Sequence, residues 1–97
     1  MRFTWDPDKA ESNLSKHGVA FDEAATVFAD PLAIIAEDAG YVERTIIIGQ
    51  STQTRVLVTV FIETHRDGDD DADETRIISA RRATKHERRR YEEGETK

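Results

Sequence analysis

Arg76-Ile77-Ile78-Ser79-Ala80-Arg81-Arg82-Ala83-Thr84-Lys85-His86-Glu87-Arg88-Arg89-Arg90-Tyr91 is the stretch on which the fold turns. Its β-branched opening, Ile77-Ile78, predicts a strand, and Thr84-Lys85-His86-Glu87 has the Thr-x-x-Glu spacing of a capping box, which opens a helix. A strand therefore hands over to a helix at Arg81, Arg82 and Ala83. Seven of the chain's 14 Lys and Arg residues lie in this stretch. Guanidinium grips phosphate in a bidentate way, so a phosphate-bearing partner is the first class of function to consider.

Just upstream, residues 67 to 74 hold six carboxylates and no cation; without them the chain has 14 acidic against 14 basic residues. The net charge of -6 thus describes a neutral body with one acidic loop and one basic end. That loop, Asp67 to Glu74, is expected to be a solvated hairpin tip between the last two strands. Its spacing lacks the EF-hand layout, so calcium is not expected.

Further back, Arg55 to Glu63 predicts the central strand. Val56, Val58, Val60 and Ile62 line one face and Leu57, Thr59 and Phe61 the other, so both faces should be covered at least in part. Strands are also expected at Leu32 to Glu37 and Arg44 to Gly49, with a turn near Asp38-Ala39-Gly40. A short helix over Asp22 to Ala29 ends at Asp30-Pro31. The helix before it starts at Asp6 as N-cap with Pro7 at its first position and stops at Gly18. Helical spacing puts Ala10, Leu14 and His17 on its apolar face and Lys9, Asn13 and Lys16 on a polar stripe. Arg2 to Trp5 suits a first strand, with Trp5 a core anchor rather than a stacking platform. The order is β-αα-ββββ-α, an α+β fold with an antiparallel sheet, an N-terminal helical hairpin and a C-terminal helix. At 97 residues a single domain over 1–97 is expected.

The chain has no Cys, which excludes disulfides, thiolate nucleophiles and Cys-based zinc sites. His17, His65 and His86 stand apart without metal-ligand spacing, and no Gly-x-Ser-x-Gly elbow exists, so neither a metal nor a cofactor is expected. No apolar run is long enough to span a bilayer and no h-region opens the chain, which points to a cytoplasmic protein with no membrane partner. Arg and Lys remain as the groups able to carry chemistry.

Trp5-Asp6-Pro7, Lys9, Asn13, Lys16-His17-Gly18-Val19, Phe21, Glu23-Ala24, Val27-Phe28, Asp30-Pro31, Arg44, Ile48-Gly49, Arg76-Ile77-Ile78-Ser79-Ala80-Arg81, Ala83, Glu87-Arg88 and Tyr91-Glu92 give the chain a likeness that spans nearly its whole length. In these residues it resembles the BrnT toxins of type II toxin–antitoxin systems, themselves similar to the RelE group of small ribonucleases. The resemblance implies a RelE-like fold, an endoribonuclease that shuts down translation, and a BrnA-type antitoxin bound in a hetero-oligomer. DNA would be contacted only through that antitoxin. The acidic insertion Asp67 to Glu74 sets this chain apart from the short link usual in the family.

Metal-free RNA cleavage, through a 2′,3′-cyclic phosphate, needs a base for the 2′-OH, a cation at the phosphorus centre and an acid for the leaving 5′-oxygen. Period-two alternation puts Ile77, Ser79 and Arg81 on one face of the last strand and Ile78, Ala80 and Arg82 on the other, so one of the two arginines enters a given cleft. Arg81 falls in the family-like Ser-Ala-Arg motif and is the expected catalytic cation. Arg66 aligns with a family arginine and comes second; His17 is either an acid or base or an imidazole steadied by its helix end. Lys9, Lys16, Arg55 and Tyr91 are expected to touch RNA, the bland alternatives being solvated lysines and a Tyr91 packed on Ala83. Arg88, Arg89 and Arg90 form an antitoxin surface, an RNA grip or a solvated face. The alternative to an enzyme is a module that binds nucleic acid or protein without cutting.

Overall fold

The computed structural model describes residues 2–38, 40, 43–66 and 69–94, with the backbone alone at 65, 66 and 69–73. In chain order the elements are β1 (Arg2–Thr4), α1 (Pro7–His17), α2 (Phe21–Thr26) running into a 3-10 turn (Val27–Ala29), β2 (Ile34–Glu37), β3 (Thr45–Gln50), β4 (Val56–Arg66), β5 (Asp69–Arg82) and α3 (Lys85–Glu93). They form one five-stranded sheet in the order β1-β5-β4-β3-β2. The expected α+β order stands, with one refinement: β2 to β5 are antiparallel, but β1 joins the far edge parallel to β5.

The local signals at the helix ends do what the residues dictate. The Asp6 carboxylate accepts from the Asp8 N–H at 2.9 Å, Pro7 occupies the first turn, and Gly18 takes the left-handed φ of 69° that closes α1. At α3 the capping box is complete: Thr84 Oγ1 accepts from the Glu87 N–H, and Glu87 Oε1 accepts from the Thr84 N–H.

Two expectations are corrected. The acidic stretch is mostly strand, since β5 begins at Asp69 and pairs Asp69 with Arg66 and Glu74 with Thr64; Asp67 and Gly68 lie outside the described residues. The polar stripe of α1 turns out to contain its buried residue. Asn13 is 7% exposed while Leu14 is 51% exposed, and His17 is exposed as well. The reason is that α1 lies along β5 beyond the end of the short β1, where the strand has backbone groups left to satisfy. The Asn13 amide bonds both of them, Nδ2 donating to Ala80 O at 2.8 Å and Oδ1 accepting from the Ala80 N–H at 3.1 Å; Nδ2 also donates to Val19 O.

Helices α1 and α2 cover one sheet face, where Val19, Phe21, Ala24, Val27, Ile47, Leu57, Phe61, Ile77 and Ala80 form the core. Trp5 packs edge-on against Phe21, in line with its expected role, and Phe28 links Phe3 to Phe61. Gly49 is required at its place, because a Cβ there would stand 2.8 Å from Val27 Cγ1. On the opposite face the cross-strand row Ile34, Ile48, Val58 and Arg81 lies toward α3. No helix among the described residues is long and apolar enough to cross a membrane.

Candidate functional site

A bulge in β5 decides which arginine faces where. Phe61 pairs with Ile77 but Val60 pairs with Ser79, leaving Ile78 without a partner. Alternation is therefore shifted by one residue. Ile77 and Ala80, expected on opposite faces, are both in the core, and Arg82, paired with Leu57, follows them. Arg81 turns to the other face with Val58.

There Arg81 meets Glu87 of α3 in a bidentate pair, both bonds 2.8 Å. The hydrogen bonds from Arg81 hold the Glu87 carboxyl at about 2, and Glu87 in return raises the Arg81 guanidinium. A carboxyl depressed in the folded state stabilises the fold above its ordinary value of 4.5, and that contribution is lost as pH falls toward about 2. Because the Arg81 side chain is 41% exposed, the pair is worth no more than about 1 kcal/mol after screening. Glu87→Gln is expected to flatten the stability curve between about pH 4.5 and about 2, measured by denaturant unfolding, and to leave its alkaline side unchanged.

Where the end of β5, the β3–β4 hairpin and α3 meet, a recess of about 430 Å³ opens, lined among others by Gln50, Arg55, Arg82, Arg88 and Tyr91. Arg55 is held from beneath. Its Nε donates to Glu23 Oε2 at 2.9 Å, and Nη2 donates to Glu23 Oε1 and to Gly18 O. Glu23 is 5% exposed and also accepts from Ser51 Oγ at 2.7 Å. Arg55 hydrogen bonds lower its carboxyl against the opposing effect of burial, with smaller help from Ser51 and from the charge of Arg82. A buried carboxylate thus offsets the repulsion between two guanidiniums brought to one wall. Arg82 and Arg88 form no ion pair among the described residues.

Tyr91 closes the recess by donating its hydroxyl to Asp30 Oδ2 at 2.5 Å. Burial first, then Asp30, pushes the phenol up to about 12, so at neutral pH it is a hydrogen-bond donor and not a base. Burial raises the Asp30 carboxyl, but bonds from the Gln50 N–H, Tyr91 and the Leu32 N–H outweigh it and leave Asp30 lowered.

Of the residues singled out in the sequence, Arg55, Arg88 and Tyr91 come together in this recess. His17 and Lys16 end α1 directly before Gly18, whose carbonyl receives Arg55, but neither lines the recess, and Lys9, in the first turn, does not either. Arg81 faces Glu87 instead. Arg66 ends β4 at the opposite pole, ten residues and roughly 30 Å of strand from Val56, and its side chain lies outside the described residues. Arg89 is exposed, and Arg90 is half-buried. No group of acids and histidines able to hold a metal is found among the described residues. Glu23 and Arg82 are what sequence reasoning missed. A signal existed for Glu23: it sits one turn before Val27 on the inward face of α2, and a carboxylate there requires a cation.

Residues 5–87 match the family described as "Ribonuclease toxin, BrnT, of type II toxin-antitoxin system". Among solved structures, the crystal structure of the Brucella abortus ribonuclease toxin, BrnT, superposes with a TM-score of 0.68. The two are 21% identical over 88% of this chain and 99% of that one, a likeness of fold. No curated protein matches.

Proposed function

The chain belongs to the BrnT family of type II toxin–antitoxin ribonuclease toxins, and from that footing we propose that it is a metal-independent endoribonuclease acting in the cytoplasm, where it inhibits translation until a BrnA-type antitoxin binds it. The observation that carries the proposal is the recess in which Arg55, Arg82 and Arg88 converge on a space of nucleotide size.

A scissile phosphodiester seated there meets Arg82 and Arg88, whose charge opposes the negative charge gathering on the phosphorane. Arg55, fixed on Glu23, supplies a preorganised third cation. Tyr91, protonated to about 12, donates to a phosphate oxygen when released from Asp30. His17, next in the chain to the Gly18 carbonyl that receives Arg55, is assigned the acid or base role. Lys16 extends the positive path along the RNA backbone, and Lys9 meets only a longer strand. Arg81 is a positioning residue: through Glu87 it anchors the start of α3, from which Arg88 and Tyr91 project. Arg66 takes no part in this arrangement. Arg88, Arg89 and Arg90 double as antitoxin contacts, so that inhibitor and RNA compete for the same end.

Purified chain incubated with RNA in EDTA is expected to give products ending in 2′,3′-cyclic phosphate. Intact RNA across several sequences, with the chain folded, rejects the enzyme and leaves a binding module.

A further inference from the structure

β2 ends the sheet and carries little protection. It reads Ile-Ile-Ala-Glu, with no Lys or Pro among its four residues, and the most exposed large apolar side chains described lie in it and just before it, Ile35 at 65% and Leu32 at 70%. Edge strands are ordinarily blunted by charge, proline or a covering element, because their free N–H and C=O groups template pairing with another chain. The direction of those groups follows from the ladder. Asp38 N–H donates to Arg44 O, and Ile34 and Ala36 share its phase against β3. The N–H and C=O groups of Ile35 and Glu37 therefore point away from the sheet.

We propose that this edge takes an extended segment of the antitoxin as a sixth strand, whose apolar side chains cover Leu32 and Ile35; this rests on the toxin–antitoxin reading above. A second copy of the chain is the weaker occupant. Two four-residue strands paired about a two-fold axis bury far less than the roughly 1,200 Å² of a stable interface, and each copy carries a net charge of -6. A flexible segment has no such limit, since strand addition supplies main-chain bonds and the segment can continue beyond them. Beyond Leu32 the chain surface leads through Pro31 and Asp30 to Tyr91 and the recess. Carboxylates following the added strand would there meet Arg82 and Arg88. One ligand thus caps the apolar edge and occupies the phosphate-binding cations.

The test uses the full chain co-expressed with the small protein encoded beside it. Amide exchange at Ile35 and Glu37 is expected to slow about tenfold or more on complex formation. Leu32→Lys/Ile35→Lys is expected to raise Kd about 100-fold while RNA cleavage by the free chain is unchanged, since neither residue lines the recess. Ile35→Pro, which removes an outward N–H that no internal bond uses, should weaken the complex with the fold retained. Tight binding with unprotected β2 amides and unaltered affinity of these variants overturns the proposal and leaves the toxin–antitoxin reading standing. Protection that appears in the chain alone and rises with its concentration overturns it in favour of self-pairing. No binding by the co-encoded protein removes both.

Discussion

Arg82→Ala is expected to lower kcat for RNA cleavage by about 10²–10³-fold with the fold intact, the loss typical when one charge-stabilising donor is removed from an active site. The recess remains, and Arg55 remains on Glu23, but the guanidinium nearest the β5 wall is gone. Arg81→Ala is the instructive comparison. It frees Glu87, loosens the start of α3 and lowers stability by about 1 kcal/mol, yet cleavage should fall no more than about tenfold, because Arg81 reaches the site only through α3. Single-turnover cleavage and thermal unfolding of the two variants settle the assignment. If Arg81→Ala abolishes cleavage and Arg82→Ala spares it, the recess is not where phosphate is cut.

The second large effect is structural. Asn13→Ala is expected to cost about 3 kcal/mol, since it strands the Ala80 N–H and C=O, with Ala80 itself buried, and removes a bond to Val19 O. For a domain of this size that is a fall of roughly 10–20 °C in Tm. A loss under about 1 kcal/mol would show that water takes over the strand edge once the amide is gone. Lys9→Ala or Lys16→Ala, on the same helix but exposed, should leave Tm nearly unchanged.

These residues also show how far the sequence could be followed. Asp6, Pro7, Gly18, Thr84 and Glu87 were legible because capping is decided within a few residues, and the structure repeats each feature. The family likeness ran through Asn13, Glu23, Asp30 and Gly49 without revealing why they belong there. Each of the four answers to something distant: the backbone of Ala80, the guanidinium of Arg55, the hydroxyl of Tyr91, the methyl of Val27. Helical spacing alone placed Asn13 with the lysines, because an amide looks solvated until a strand edge is put beside it. The Ser-Ala-Arg motif favours Arg81 over Arg82, but the face each one takes depends on a bulge, and no local residue preference announces a bulge between two isoleucines and a serine.

The unpaired Ile78 has a further consequence. Because Ile78 is left out of the ladder, Arg81 stands opposite Val58 and Arg82 opposite Leu57, so the bulge decides which of the two neighbouring guanidiniums meets the last helix. Deleting Ile78 would remove the bulge and leave Arg81 opposite Val58, whereas drawing Ile78 into the ladder opposite Val60 would move both arginines one place along β4 and turn each to the other face. An alignment that slides a gap by one position there will equate residues that take opposite faces of the strand.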